Sequence, residues 1–482
     1  QEVEQMNLFK DMVCYQEEVR DPSRMAEVLN RVIEKAIRGS APAQINVPRD
    51  YWTQVVDIEL PPIVRLERQS GGADAIIKAA KLLSEAKFPV ILSGAGVVIG
   101  GAIEECKKLA EKLDAPVCNG YQHNDSFPGS HPLAVGPLGY NGSKAAMELI
   151  SKADVVLALG TRLNPFSTLP GYGLDYWPKN AKIIQVDMNS DRIGLTKKVT
   201  VGICGDAKLV TQQLLEKLSS DAGNQGREDR KNLIHKTKSA WLQTLTSLDH
   251  EDDDPGTVWN KEARERDSDR MSPRQAWRAI QAAMPDDVII SSDIGNNCAI
   301  GNAYPTFEQG RKYLAPGLFG PCGYGFPSIL GAKIGCPDTP VIGFAGDGAF
   351  GISMNEMSSC ARKEWPAITM VIFRNYQWGA EKRNSILWFD DNFVGTELDP
   401  ELSYAKVANA CGLKGVTCKT MDETTKAIKQ SCEDQKKGIT TFIEVILNQE
   451  LGEPFRRDAM KKPVEVAGIN KKDMKPQLVD RN

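Results

Sequence analysis

Between Val341 and Ala380 two apolar runs each end in a polar turn, and that arrangement leaves little choice of fold. The first run, Val341 to Ala345, ends in Gly346, Asp347 and Gly348; the second, Thr369 to Phe373, ends in Arg374 and Asn375. Pro366 breaks the chain between them, and the spacing predicts a helix from about Phe350 to Lys363. A strand, a tight turn, a helix and a second strand make one βαβ unit. Its two polar turns then fall at the carboxyl ends of parallel strands, where open α/β sheets bind ligands.

The residues in those turns suit a divalent ion carrying a diphosphate. Mg²⁺ takes oxygen ligands in a near-octahedral shell, commonly one or two from protein together with substrate phosphates. Asp347 offers a carboxylate, Asn375 an amide oxygen, and a backbone carbonyl near Gln377 a third ligand. Gly346 and Gly348 permit a sharp turn and a close approach of backbone to phosphate, and the start of the following helix offers N–H groups to an anion. Taken alone, the Gly-Asp-Gly triplet reads first as an ordinary turn, with Asn375 as a strand-end cap. The 26 residues between Gly348 and Asn375, with Asn after a second apolar strand, favour the metal.

This pattern resembles the signature of the thiamine diphosphate enzymes, in which Asp, Asn and a nearby carbonyl hold Mg²⁺ and the cofactor's diphosphate. Relatives usually end the motif in Asn-Asn; here Arg374 takes the first place and Asn375, the position matching the ligand, is kept. The resemblance implies thiamine diphosphate and Mg²⁺ as cofactors, with Asp347, Asn375 and Gln377 on the metal. Gly346, Gly348, Ala349, Trp378, Gly379 and Ala380 would lie around the cofactor.

At 482 residues the chain predicts two or three domains. Hydrophobic residues make up 41% and charged residues 25%, the balance of a globular protein. A net charge of -4 argues against a general nucleic-acid binder, and no apolar run reaches the ~18 residues of a membrane span. The 11 cysteines lack any CxxC pair, and Cys118, Cys204 and Cys360 sit in apolar surroundings, so buried thiols and a cytoplasmic setting are expected. The four histidines, His123, His131, His235 and His250, form no metal-spaced cluster. The first residue is Gln1, and the opening lacks the pattern of a signal peptide.

Along the chain, Ser23 to Ile37 reads as a helix whose Met25, Val28, Leu29, Val32, Ile33, Ala36 and Ile37 share one face. Ala43 to Val47 follows as a short strand ending in Pro48, Arg49 and Asp50, which resembles the end of the family's pyrimidine-binding domain. Residues 1–50 are therefore expected to be a remnant of that domain, its N-terminal part truncated, and 51–72 a linker. Alternating helices and strands over 73–220 predict a parallel sheet covered on both faces: helices at Asp74–Ala86, Ala102–Leu113 and Ala207–Leu218, strands at Pro89–Ser93, Asp154–Gly160 and Lys182–Asp187. Ser93 to Gly101, SGAGVVIGG, is either a dinucleotide turn or a place of close packing; its third glycine is one position late for GxGxxG. His131 is expected in the packing of this domain. Residues 221–269, with an acidic run at Glu251 to Gly256, predict a connecting segment carrying only a short helical piece at Ala240–Leu248.

The last domain, 270–482, opens with a helix at Ser272–Met284, capped by Ser272, and a strand at Asp287–Ser291. The turn Ser292 to Asn297 resembles the family's second diphosphate contact, which places Ile294, Gly295, Asn296 and Asn297 at the cofactor. Gly320 and Cys322 fall in the glycine-rich stretch before a helix from about Pro327, Cys322 where a bulkier residue usually props the cofactor. A helix at Tyr404–Cys411 and a strand at Thr441–Leu447 precede a basic tail. That tail, with Arg456, Arg457, Lys461 and Lys462, is either solvated or an anion clamp.

GPCGYGFPSILGAK, RNYQWGAEKRNS and ELGEPFRRDAMKKP together resemble the sulfoacetaldehyde acetyltransferase branch of the family; acetolactate synthases are the nearest alternative. The branch implies an α/β thiamine diphosphate-binding fold. It also implies conversion of sulfoacetaldehyde and phosphate to acetyl phosphate and sulfite through an acetyl group carried on the cofactor, in sulfonate (taurine) breakdown. Anionic substrates require cations near the site; Lys382, Arg383, Arg456 and Arg457 are the candidates. The family's activating glutamate has no counterpart in this chain, which leaves open a cofactor-binding fragment without turnover. No nucleic-acid or membrane partner is expected. Because the family's cofactor sits between subunits, a homodimer or homotetramer is.

Overall fold

The computed structural model describes residues 2–62, 67–247, 261–317, 319–362, 364–388 and 392–451. The chain divides into two compact units, Gln1–Glu67 and Arg68–Asn482. The first holds two parallel strands, β1 (Tyr15–Glu18) and β2 (Ala43–Asn46), in register from Tyr15 opposite Ala43. Its main helix, Met25–Gly39, buries only Val28 and Val32; Leu29, Ile33 and Ile37, expected on the same buried face, are exposed. A two-stranded sheet is too narrow to cover the whole stripe, so only the residues over its centre lose contact with water.

The second unit contains two six-stranded parallel sheets. One is built from β3 (Pro89–Ser93), β4 (Val117–Asn119), β5 (Ala134–Pro137), β6 (Val155–Leu159), β7 (Lys182–Asp187) and β8 (Val201–Cys204), in the order β5-β4-β3-β6-β7-β8. The other is built from β9 (Ile289–Ser292), β10 (Tyr313–Leu314), β11 (Val341–Gly346), β12 (Thr369–Arg374), β13 (Lys414–Cys418) and β14 (Thr441–Ile446), in the order β10-β9-β11-β12-β14-β13. The alternation of side chains explains its two cores. Ile342, Phe344, Val371 and Phe373 pack to one side with Trp277, while Val341, Ala345, Met370 and Ile372 pack to the other with Phe326 and Phe350. Each strand is thus apolar at successive positions because both its faces are covered.

In the first of these sheets the strand order reverses between β3 and β6, the crevice where such sheets accept nucleotides. Here that crevice is closed. Gly94 and Gly96 after β3 lie against Gly160 after β6, a Cβ on Gly96 would come 2.7 Å from Gly160 Cα, and Gly160 itself sits at φ +60°. Gly94 and Gly96 of SGAGVVIGG therefore serve close backbone packing. His131 meets the Phe127 ring edge-on at 5.2 Å between centroids, in the packing of this sheet.

Three expectations need correction. The segment after Lys217 carries a helix over Arg227–Ser247, far longer than the piece expected at Ala240–Leu248. Its buried stripe is Arg230, Ile234, Thr237, Trp241 and Leu245, and two of those five are polar, so an apolar count misses it. Arg230 is 1% exposed and donates to the carbonyls of Asp114 (2.8 Å), Lys87 (2.8 Å), Gln225 (2.9 Å), Leu113 (2.8 Å) and Gly223 (2.6 Å). The acidic run at 251–256 lies outside the described residues. The helix expected from Phe350 starts at Asp347, because Gly346 takes an extended cap conformation, and ends at Ser353, whose φ of -110° leaves the helical region. A 3-10 turn and a short helix, Met357–Cys360, follow. Finally, all 11 cysteines are free but only Cys106, Cys118, Cys298, Cys360, Cys418 and Cys432 are buried; Cys204 closes the strand β8 half-buried, and Cys322 is exposed. No helix among the described residues is long and apolar enough to cross a membrane.

Contacts between the two large sheets position the site. Asn124 Nδ2 donates to the carbonyls of Asn302 and Pro305, both at 2.9 Å, and Asp125 Oδ2 accepts from Lys312 N (3.0 Å) and Tyr313 N (3.3 Å). Burial raises the pKa of Asp125 above the usual carboxylate range.

Candidate metal and diphosphate site

The register of β9, β11 and β12 lines up three polar turns. Phe344 stands opposite Ser292 and Gly346 opposite Phe373, so β11 and β12 end within a residue of each other and β9 two residues before β11. Asp347, Asn375 and the 293–297 turn meet there. Asp347 is 3% exposed, and its Oδ2 accepts from the backbone N–H groups of Asn375 (3.0 Å) and Tyr376 (2.8 Å). Burial pushes its pKa up to about 6 against the opposing pull of the Arg374 guanidinium.

The Asn375 side chain lies where a metal would be shared. One terminal atom of its amide lies 3.2 Å from Asp347 Oδ2 and 3.1 Å from the Gln377 carbonyl oxygen. With Oδ1 in that place it faces two other oxygens, as it would around a shared cation. Rotated, Nδ2 donates to both, and Oδ1 accepts from Asn297 Nδ2 and Gln377 Nε2 at 3.3 Å each. The edge of an octahedron with Mg–O bonds of ~2.1 Å is ~3.0 Å, so the spacing fits a shared Mg²⁺. Among the described residues no group of three His, Cys, Asp or Glu could hold a metal.

The positioning of this loop is backbone work. Tyr376 sits at φ +60°, strained for a side-chain-bearing residue. Trp378 N donates to Thr396 O (2.8 Å) and Leu398 N to Tyr376 O (2.9 Å), pairing the loop with 396–398. The Trp378 indole covers Gly348, where a Cβ would come 3.0 Å from the ring. Gly379 lies against Asn296, Gln377 and Asn375, its Cβ position 3.3 Å from Asn296 Nδ2.

The 293–297 turn faces the same point. Asn296 Nδ2 and Asn297 Oδ1 are buried without a hydrogen-bond partner among the described residues, and Asn296 offers a donor to an anion. Asn297 O accepts from Trp277 Nε1 at 2.6 Å. Asp293, which the sequence did not single out, joins this turn to the glycine-rich loop: its Oδ1 accepts from Ile294 N (2.8 Å) and Gly323 N (3.1 Å), its Oδ2 from Gly325 N (2.7 Å). The helix expected from Pro327 begins at Gly325 on that anchor. Burial raises the Asp293 pKa.

Beside the turn opens a cavity of about 490 Å³, whose walls include Ile294, Gly295, Asn296, Gly320, Ala380 and Arg383 together with Tyr121, Tyr140 and Phe166 from the other sheet. The Arg383 guanidinium lies 5.3 Å from the Tyr140 ring centre, and burial lowers its pKa. Lys382 turns the other way: it is 6% exposed, pairs with Glu397 and donates to Gln377 Oε1 at 3.1 Å. Ala349 is buried behind Asp347, and Cys322 stands exposed. Arg456, Arg457, Lys461 and Lys462 lie outside the described residues.

Comparison with known proteins identifies the family. Residues 76–214 match the thiamine pyrophosphate enzyme central domain, and residues 293–445 match the thiamine pyrophosphate enzyme C-terminal TPP binding domain. The chain is 77% identical over 477 residues to a probable sulfoacetaldehyde acetyltransferase of Rhizobium meliloti, covering 99% of this chain and 81% of that one. It is 74% identical over 480 residues to a sulfoacetaldehyde acetyltransferase of Roseovarius nubinhibens, covering 100% of this chain and 80% of that one. A probable acetolactate synthase large subunit of Methanococcus aeolicus is 29% identical over 446 residues, covering 89% of this chain and 72% of the relative. The chain belongs to the thiamine pyrophosphate enzymes, in the sulfoacetaldehyde acetyltransferase family.

Proposed function

We propose that this chain converts sulfoacetaldehyde and inorganic phosphate to acetyl phosphate and sulfite, using thiamine diphosphate and Mg²⁺ bound at the carboxyl ends of β9, β11 and β12. The observation that carries the reading is the approach of the Asn375 amide to Asp347 Oδ2 (3.2 Å) and the Gln377 carbonyl (3.1 Å), in a chain 77% identical to a protein named for this activity. In the reaction the C–S bond breaks and sulfite departs with its electron pair; the methylene carbon takes a proton and becomes methyl, while the former aldehyde carbon loses its hydrogen as a proton, rises to the acyl level at the expense of that reduction, and joins a phosphate oxygen. When bound, thiamine diphosphate supplies the carbanion and electron sink for this exchange.

The chain's residues bind, orient and balance charge. Asp347 Oδ2, the Asn375 amide oxygen and the Gln377 carbonyl would hold the ion. Ile294 to Asn297 take the diphosphate, with Asn296 Nδ2 as a donor, and Gly346, Gly348 and Gly379 let the backbone come close. Ala349, Trp378, Ala380, Gly320 and Cys322 border the rest of the cofactor. Arg383, in the aromatic-walled cavity, is the described cation best placed for sulfonate or phosphate, since a guanidinium matches such oxyanions with two N–H groups. Lys382 acts through Glu397 and Gln377. Arg456 and Arg457 complete the anion set. Sulfonate (taurine) breakdown in the cytoplasm by a homodimer or homotetramer is the setting that suits this chemistry.

The test supplies the chain with thiamine diphosphate, Mg²⁺, phosphate and sulfoacetaldehyde and measures sulfite and acetyl phosphate. Equal yields of the two, absent without phosphate, are expected. Carbon dioxide from pyruvate with no sulfite from sulfoacetaldehyde would favour an acetolactate synthase instead.

A further inference from the structure

Arg374 departs from the family motif, and the structure gives it a definite position. Its side chain is fully buried, with Nη1 donating to Asp347 Oδ1 at 3.1 Å and Nη2 donating to the carbonyls of Asp399 and Leu402, the latter at 3.2 Å. The guanidinium stacks 4.3 Å from the Tyr376 ring centre and 5.4 Å from that of Tyr404, and its Nε lies 3.9 Å from Glu444 Oε1. The Arg270 guanidinium lies 4.6 Å from the same Tyr376 ring. Glu444 is itself satisfied by Ser403 Oγ (2.6 Å) and Tyr404 N (3.1 Å). A planar cation gripped in this way cannot swing aside without leaving buried charge unpaired.

The two Asp347 oxygens are therefore unequal. Oδ1 belongs to Arg374; Oδ2 faces the Asn375 amide. Mg²⁺ wants six oxygens at ~2.0–2.1 Å and accepts a single carboxylate oxygen readily, whereas Ca²⁺ takes six to eight at ~2.3–2.6 Å and gains from carboxylates that offer both. We propose that Arg374 sets the cation preference of this site: by holding Oδ1 it confines Asp347 to one metal-facing oxygen, which suits Mg²⁺ and handicaps Ca²⁺. The inference rests on the cation site of the proposed function and adds a positioning residue that selects the ion.

The test is a calorimetric titration of the chain, with saturating thiamine diphosphate, by Mg²⁺ and separately by Ca²⁺. The double variant Arg374→Met with Glu444→Gln removes the fork and the Glu444 charge beside it, and leaves Asp347 Oδ1 open to the ion; Arg374→Lys keeps a cation against Oδ1. The ratio of the Ca²⁺ to the Mg²⁺ dissociation constant is expected to fall at least ~10-fold in the double variant, the size typical of changes behind a metal ligand. In Arg374→Lys it should stay within about threefold of the parent. A merely structural residue would weaken both ions alike, and an unchanged ratio overturns the proposal. Should thermal melting show the double variant unfolded, a crystal structure of the native chain with Ca²⁺ decides. Asp347 on the ion through Oδ2 alone, Arg374 in place, supports the inference; both oxygens on the ion overturn it. A native chain that binds neither ion defeats the cation site itself.

Discussion

Asp293 Oδ2 accepts a hydrogen bond from Gly325 N at 2.7 Å, and through that bond the turn after β9 and the glycine-rich loop become one surface. The same carboxylate holds Ile294 N and Gly323 N. In Asp293→Asn an N–H₂ group replaces one of these acceptors and confronts a backbone donor, at a cost of ~1–3 kcal/mol. The expected result is a rise of about tenfold in the concentration of thiamine diphosphate needed for half-maximal binding, read by quenching of tryptophan fluorescence. The Mg²⁺ site, built on other strands, should change less.

Asn375 is expected to matter for the ion more than for the fold. Asn375→Ala removes one of three oxygens while Asp347 keeps its bonds from the backbone N–H groups at 375 and 376. Mg²⁺ affinity should fall ~10-fold or more, with the melting temperature of the metal-free chain within a few degrees of the parent. Titration with Mg²⁺ or Mn²⁺ checks this.

Removal of divalent ions with a chelator should abolish sulfite release, and added Mg²⁺ should restore it. Because ion and diphosphate bind together, the chelated chain should also lose thiamine diphosphate on gel filtration. Retention of the cofactor without the ion would contradict a diphosphate anchored through the metal.

Arg230→Met tests the buried guanidinium of the 227–247 helix. It strips a hydrogen bond from each of five carbonyls, those of Lys87, Leu113, Asp114, Gly223 and Gln225. Each buried acceptor left unmet costs ~1–3 kcal/mol. A clear drop in melting temperature by calorimetry is expected, with thiamine diphosphate affinity unchanged in the folded protein.

His123 gives the stability of the chain a pH dependence. Burial, helped by the charge of Arg162, pushes its pKa down to about 4 from an ordinary 6.5. Below 6.5 the unfolded chain takes up a proton that the folded chain refuses, so stability is fully present above that pH and drains away as pH falls toward 4. The loss is at most ~3 kcal/mol. Melting curves at pH 7 and pH 4.5 should differ less in His123→Gln than in the parent.

The sheet that carries the site was largely legible in the sequence, because its strands are buried on both faces and read as unbroken apolar runs. Lys182–Asp187 and Pro89–Ser93 stand where the pattern put them for the same reason. What the linear pattern does not carry depends on polar groups turned inward. Arg230 hid a helix, Asp293 looked like part of a turn, and Arg374 registered as a substitution whose partners in space no linear pattern reveals. Leu29, Ile33 and Ile37 erred the other way: the periodicity was sound, but what a stripe packs against is not written in its spacing.

The glycines after β3 and β6 have a wider consequence. Two sheets wound in similar ways share this chain, and in one of them the doorway at the reversal of strand order is bricked up by main chain. An alanine at Gly96 or Gly160 would not unlock it but would wedge the strands apart, so a second cofactor pocket lies more than one mutational step away. Whatever chemistry this lineage acquires next has to be negotiated at the rim that Asp347 and Asn375 already occupy.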